Sequence, residues 1–132
     1  MNFSLPSADK DPMGAAIADY YNLHKAGRLR VFSSLFDEDE IPVKDLFRGL
    51  KQMPVIEQTA LQMAEGKILD VGAGSGCHSL ALQEMNKEVC AIDISALSVD
   101  VMKKRGVKDA RLVNLFDATF HEQFDTILLL MN

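Results

Sequence analysis

The decapeptide KILDVGAGSG, Lys67 to Gly76, constrains this chain more than any other stretch. A short apolar strand, interrupted only by Asp70, runs straight into Gly72, Gly74 and Gly76 at alternate positions. Glycine accepts positive φ and leaves its main chain bare, so the run permits a tight turn and a close approach by a ligand. In parallel α/β sheets the carboxyl ends of the strands are where ligands bind. The free N–H groups of a helix beginning near Ser75 would point to the same place.

The residues that follow repeat the strand–helix alternation. Strands are expected over 68–71, 88–93, 111–115 and 124–131, and helices over 75–85 and 95–105, the second capped by Ser95 and stopped by Gly106. Strands that are apolar throughout and joined by helices predict a parallel sheet covered on both faces. Right-handed crossovers then give an α/β, Rossmann-like, doubly wound fold. Residues 67–132 are read as this half domain.

Residues 1–66 read instead as a helical N-terminal cap with no convincing strand. Asp11-Pro12 suits a helix start. Ile17, Tyr20, Tyr21, His24 and Leu29 follow at roughly helical spacing, and Phe32, Leu35 and Phe36 extend the apolar face. The acidic run Asp37 to Glu40 breaks it, reading as a solvated face or loop. Val43, Leu46, Phe47 and Leu50 form a second amphipathic stretch, and Val55, Ile56, Ala60, Leu61 and Ala64 a third helix, with Gly66 as its C′ glycine.

The 132 residues fit one compact unit, and the net charge of −5 argues against nucleic acid as partner, since phosphate contacts need a basic face. Cys77 and Cys90 read as small buried hydrophobes of a reducing compartment. No apolar run approaches the ~18 residues of a membrane span, and no leader pattern opens the chain, so a cytoplasmic location is expected. His24 and His121 have no partner at ligand spacing, so no metal is expected.

Spacing narrows the ligand. A dinucleotide fingerprint wants G-x-G-x-x-G, whose third glycine would fall on Cys77, and a P-loop wants Lys-Ser/Thr where Cys77-His78 stands. Asp93 closes the strand VCAID nineteen positions after Gly74, where an acid can accept hydrogen bonds from both ribose hydroxyls. The expected ligand therefore has a ribose but no pyrophosphate that depends on a third glycine.

ILDVGAGSG followed by VCAIDIS resembles motif I and the acidic loop of class I S-adenosylmethionine-dependent methyltransferases, and LFDATF with FDTILLLMN is similar to the third and fourth strands of that fold. The likeness covers residues 67–132, while FSSLFDEDEIPVKDLF looks like the N-terminal cap of a bacterial branch of the family. The resemblance implies a strand order of 3-2-1-4 and S-adenosyl-L-methionine as cofactor. It also implies roles. Asp70 would orient the methionine amino group. Gly72, Ala73 and Gly74 would line methionine and ribose, with Gly76 completing the turn. Asp93 would take the ribose hydroxyls and Ile94 the adenine face. Asp117 would accept the adenine amine and Ala118 offer its N–H. Leu130, Met131 and Asn132 would meet the sulfonium and substrate.

Other readings stand beside these. Asp70 can cap the adjacent helix or turn, Asp93 can be an Asx-turn residue, and Asp117 can cap the segment ATFHEQ. His78 reads more readily as a packing or helix-surface histidine than as a substrate-site one. Many members of the family need no dedicated general base, and no catalytic residue is assigned.

The family's sheet has seven strands and this sequence supplies four, so the chain is expected to be the N-terminal part of a longer bacterial enzyme. TILLLMN carries no charge or proline to protect an open edge. Either further strands pair with it or the chain forms a homodimer there or through its N-terminal helices. The leading function is methyl transfer to a small-molecule or protein acceptor. A nicotinamide-dependent oxidoreductase and a non-catalytic cofactor-binding or oligomerisation module are the alternatives.

Overall fold

The structure, a computed structural model, describes residues 4–117 and 120–130. In chain order the elements are α1 (Pro12–Leu23), β1 (Leu29–Val31), β2 (Asp39–Ile41), α2 (Val55–Met63), β3 (Lys67–Val71), α3 (Cys77–Glu84), β4 (Glu88–Asp93), α4 (Ala96–Arg105), β5 (Ala110–Leu112) and β6 (Thr126–Leu128). Short 3₁₀ turns occupy Ala8–Lys10, Val43–Phe47 and Leu50–Gln52.

The last four strands form one parallel sheet in the order β5-β4-β3-β6. Counted from Lys67 alone, that is third, second, first, fourth. The register sets Leu69 beside Cys90 and Ile127, and Ala91 beside Ala110. This is the Rossmann-like α/β fold. The crossovers through α3 and α4 run the same way across the sheet, so right-handedness places both helices on one face. There Ile68, Val89 and Leu128 pack with Leu61 and Leu82, and Ala91 and Ala110 with Val99 and Met102. The opposite face, Leu69, Val71, Cys90 and Ile92, is covered by Val113, Phe120 and Phe124 from the β5–β6 connection. No helix among the described residues is long and apolar enough to cross a membrane.

Caps in the α/β part follow local sequence signals. Ser95 accepts the Ser98 N–H at 3.0 Å, and Gly106 ends α4 with φ +98°. Asp11 caps α1, accepting the Gly14 N–H at 2.9 Å, with Pro12 in the first turn. The helix expected from Ser75 begins at Cys77, because Gly72 to Gly76 are spent on the turn. The third strand is shorter than expected, Ala110–Leu112, and the fourth is Thr126–Leu128, with 131 and 132 outside the described residues.

The N-terminal region corrects the strand-free expectation. β1 and β2 form an antiparallel hairpin. The acidic run is part of it: Glu40 pairs with Arg28 at 3.2 Å and Glu38 with Arg30, so cross-strand charges offset one another where the sequence alone suggests a break. Phe32, Leu35 and Phe36, expected on a buried helical face, stand 70, 81 and 76% exposed around the hairpin turn. In α2 the buried residue is Leu61, followed by Ala64 at the C-cap, while Val55 and Ile56 are exposed. Gly66 does not cap α2. Lys87 does, its Nζ donating to the carbonyls of Leu61, Gln62 and Ala64 at 2.8 to 2.9 Å.

Candidate functional site

The turn after β3 is built by positive φ at Gly72 (+65°), Gly74 (+59°) and Gly76 (+82°). Gly76 is fixed on two counts. A side chain would be strained at its φ, and a Cβ would lie 2.8 Å from Met102 Cγ and from Val107 Cγ2. The turn is held from three sides. Ala73 N–H donates to the Ile92 carbonyl at 3.1 Å, Ser75 Oγ donates to the Leu46 carbonyl, and Arg105 donates to the Ser75 carbonyl at 2.8 Å. The Arg105 guanidinium also lies over the Phe47 ring, which packs on Tyr20. The N-terminal region is therefore fastened directly to the glycine turn.

Asp93, at the end of β4, is the other anchor. Its Oδ2 accepts the Gly74 N–H at 2.8 Å and its Oδ1 accepts the Ser95 N–H at 2.9 Å. Each oxygen keeps lone-pair capacity beyond its one bond. Asp93 sits where two cavities of about 360 Å³ each meet, sharing Gly72, Asp93 and Ile94. One is apolar, walled by Val71, Ile92, Leu115, Phe116 and Leu129. The other runs beneath the start of α1, between Lys10, Asp11 and Ile17 and the residues Gly74, Ser95 and Ser98.

Of the residues expected at a site, Gly72, Gly74, Asp93 and Ile94 are brought together. Ala73 is fully buried behind the turn and Gly76 caps α3. Leu130 packs against the core on the helical face, while its neighbour Leu129 lines the apolar cavity. Asp117 borders a separate cavity of about 280 Å³ with Arg111, Asn114 and Phe120. Ala118 lies outside the described residues, as do Met131 and Asn132. The sequence reading missed Leu115 and Phe116 as cavity walls, and also Lys10 and Asp11. The first pair could have been suspected from apolar residues directly after a strand end.

Asp70 is fully buried beneath α3, accepting the Ser79 hydroxyl at 2.7 Å. Burial raises its pKa above the usual carboxylate value, against the opposing pull of the Ser79 hydroxyl and the His78 charge. Its second oxygen, Oδ1, is buried with no hydrogen-bond partner among the described residues. His78 is also fully buried. Its Nε2 lies 2.7 Å from Glu57 Oε1, which Arg48 meets at 3.0 Å. Desolvation would lower the His78 pKa, but the Cys77 sulfur and the Glu57 and Asp70 carboxylates outweigh it and push it to about 9. His78 is a packing histidine bound to the N-terminal region.

Residues 68–132 match a methyltransferase domain family. A crystal structure of an S-adenosylmethionine-dependent methyltransferase from Bacteroides fragilis, in complex with S-adenosylhomocysteine, is 75% identical, with a TM-score of 0.92 over 98% of this chain and 54% of that one. Residues 68–132 are a methyltransferase domain by their family match. The chain is also 32% identical over 106 residues to the cypemycin N-terminal methyltransferase of a Streptomyces species, covering 75% of this chain and 43% of that protein. An uncharacterized methyltransferase of Staphylococcus carnosus is 35% identical over 65 residues, 49% of this chain and 31% of that protein. The chain thus spans about half the length of its structural relative and less of the other two.

Proposed function

We propose that this chain is the cofactor-binding part of an enzyme that transfers a methyl group from S-adenosyl-L-methionine to a small-molecule or protein acceptor. The observation that carries the reading is Asp93, held by Gly74 and Ser95 at the junction of two cavities of about 360 Å³. The residues fit the cofactor by parts. The apolar cavity walled by Ile94, Leu115 and Phe116 suits an adenine ring. The Asp93 carboxylate suits a ribose diol. Bare main chain at Gly72 and Gly74 suits the methionine end, and the unpartnered Asp70 Oδ1 suits an ammonium group, directly or through water. Asp117 and Ala118 are proposed at the adenine edge, and Leu130 near the sulfonium.

The cofactor supplies an electrophilic methyl group on a sulfonium. The chain's residues then align and shield. Methyl transfer is an in-line displacement, and catalysis rests on holding the acceptor in line and excluding water. Residues 1–66 serve as a cap over the turn and residues 67–132 as the cofactor half domain. The net charge of −5 favours a small-molecule or protein acceptor over nucleic acid. The two buried cysteines suit the reducing cytoplasm. Exposed Ile127 on β6 and Leu129 just beyond it favour pairing of that edge with further strands or with a second copy.

Titration calorimetry with S-adenosylhomocysteine, with NADH as control, tests the reading. Micromolar binding of the first alone supports it. Binding of NADH instead would favour an oxidoreductase, although the buried Cys77 occupies the place of its third glycine.

A further inference from the structure

Two helix caps are joined by a hydrogen bond that neither needs. Asp11 caps α1 with one oxygen, Oδ1, on the Gly14 N–H. Ser95 caps α4 with its Oγ on the Ser98 N–H. Each satisfies a first-turn donor by itself. Yet Asp11 Oδ2 also accepts the Ser95 hydroxyl, across 84 positions of sequence. Both residues are nearly out of water, Asp11 at 9% and Ser95 at 4% exposure.

Gly14 shows independently that the chain makes room for this contact. A glycine inside a helix costs about 1 kcal/mol relative to alanine. Here a Cβ would run into Asp11 Oδ2 and Ser95 Oγ, so only glycine lets the two caps meet.

The contact leads to the candidate ribose acid. The main-chain N–H of Ser95 donates to Asp93 Oδ1, and Asp93 Oδ2 in turn holds the Gly74 N–H. A continuous series of bonds therefore runs Gly14–Asp11–Ser95–Asp93–Gly74. Asp11 fixes the Ser95 side chain, and the Ser95 peptide fixes the Asp93 carboxylate. We infer that Asp11 is a positioning residue: from the N-terminal region, through Ser95, it orients the Asp93 carboxylate towards the ribose hydroxyls of the cofactor. This rests on the cofactor reading above.

The test separates that role from general support of the fold. Calorimetric affinities are measured for S-adenosylhomocysteine and for its 2′,3′-dideoxy analogue, which lacks the hydroxyls Asp93 would hold. Asp11→Ala should weaken S-adenosylhomocysteine by about 10- to 100-fold, the scale of one charge-assisted hydrogen bond, and leave the analogue within about twofold of wild type. Ser95→Ala, which cuts the same bond from the other side, should show the same selectivity, and the double variant should be no worse than the poorer single one. Asp11→Asn, which still accepts from Gly14, should recover part of the affinity. Equal losses for both ligands would reduce Asp11 to a structural cap, and unchanged affinity in Asp11→Asn and Ser95→Ala would overturn the inference. A wild-type chain that binds neither ligand would overturn the cofactor reading first and this inference with it.

Discussion

Glu57 Oε1 lies 2.7 Å from His78 Nε2, and through this contact α2 is bonded to the first turn of the helix that follows the glycine turn. The His78 pKa, raised from 6.5 to about 9, turns the contact into a dependence of stability on pH. A pKa raised in the folded state adds stability that is complete below the unfolded value and lost as pH rises through the folded one. The melting temperature should therefore fall between pH 6.5 and about 9, with on the order of 3 kcal/mol at stake. His78→Gln should flatten that slope. A wild-type melting temperature that stays constant across this window would contradict the assignment.

Asp70 is expected to trade stability for function. Its raised pKa means that the ionised form is disfavoured by burial, so at neutral pH the side chain weakens the fold. Asp70→Asn keeps the shape and can still accept the Ser79 hydroxyl. It should raise the urea midpoint while lowering affinity for S-adenosylhomocysteine. Greater stability with unchanged affinity would leave Asp70 without a part in binding.

Gly76→Ala places a methyl group 2.8 Å from Met102 and Val107 at φ +82°. Left-handed strain and overpacking together should cost about 2–4 kcal/mol. Met102 is flexible enough to move, whereas the Val107 branch is not. Urea midpoints of Gly76→Ala and of the double variant Gly76→Ala/Val107→Ala would show this directly, the second recovering the overpacking share alone.

Asp93→Ala removes the group that would hold the ribose and also frees the Gly74 and Ser95 N–H groups. Its affinity for S-adenosylhomocysteine should fall by about 2–4 kcal/mol, and Asp93→Asn should lose less. An unchanged dissociation constant in the alanine variant would remove Asp93 from the site.

What the sequence disclosed and what it hid divide along the range of the forces involved. β3, the glycine turn, Ser95 and Gly106 are local signals, and the parallel sheet follows from them. The hairpin of β1 and β2 was illegible because Arg28 with Glu40 and Arg30 with Glu38 offset charges that look disruptive when read in a row. At the candidate site, Gly72, Gly74 and Asp93 could be named from spacing, and Ile94 only from the family resemblance. Asp11 could be read only as a cap, since its second partner, Ser95, lies on another helix. Phe116 was signalled only as an apolar residue following the third expected strand, and the meeting of four strand ends makes it a cavity wall.

The lysine that closes α2 bears on the order in which the chain folds. At nine residues, α2 is shorter than the roughly 12–15 needed for a helix to hold in water by itself. Its last carbonyls wait for Lys87, which arrives only when α3 has turned the chain back to start β4. α2 is therefore expected to complete after the β3–α3–β4 unit rather than before it. Since Glu57 rides on α2, the bond between the N-terminal region and His78 should then form late, and substitutions at Glu57 should speed unfolding more than they slow folding.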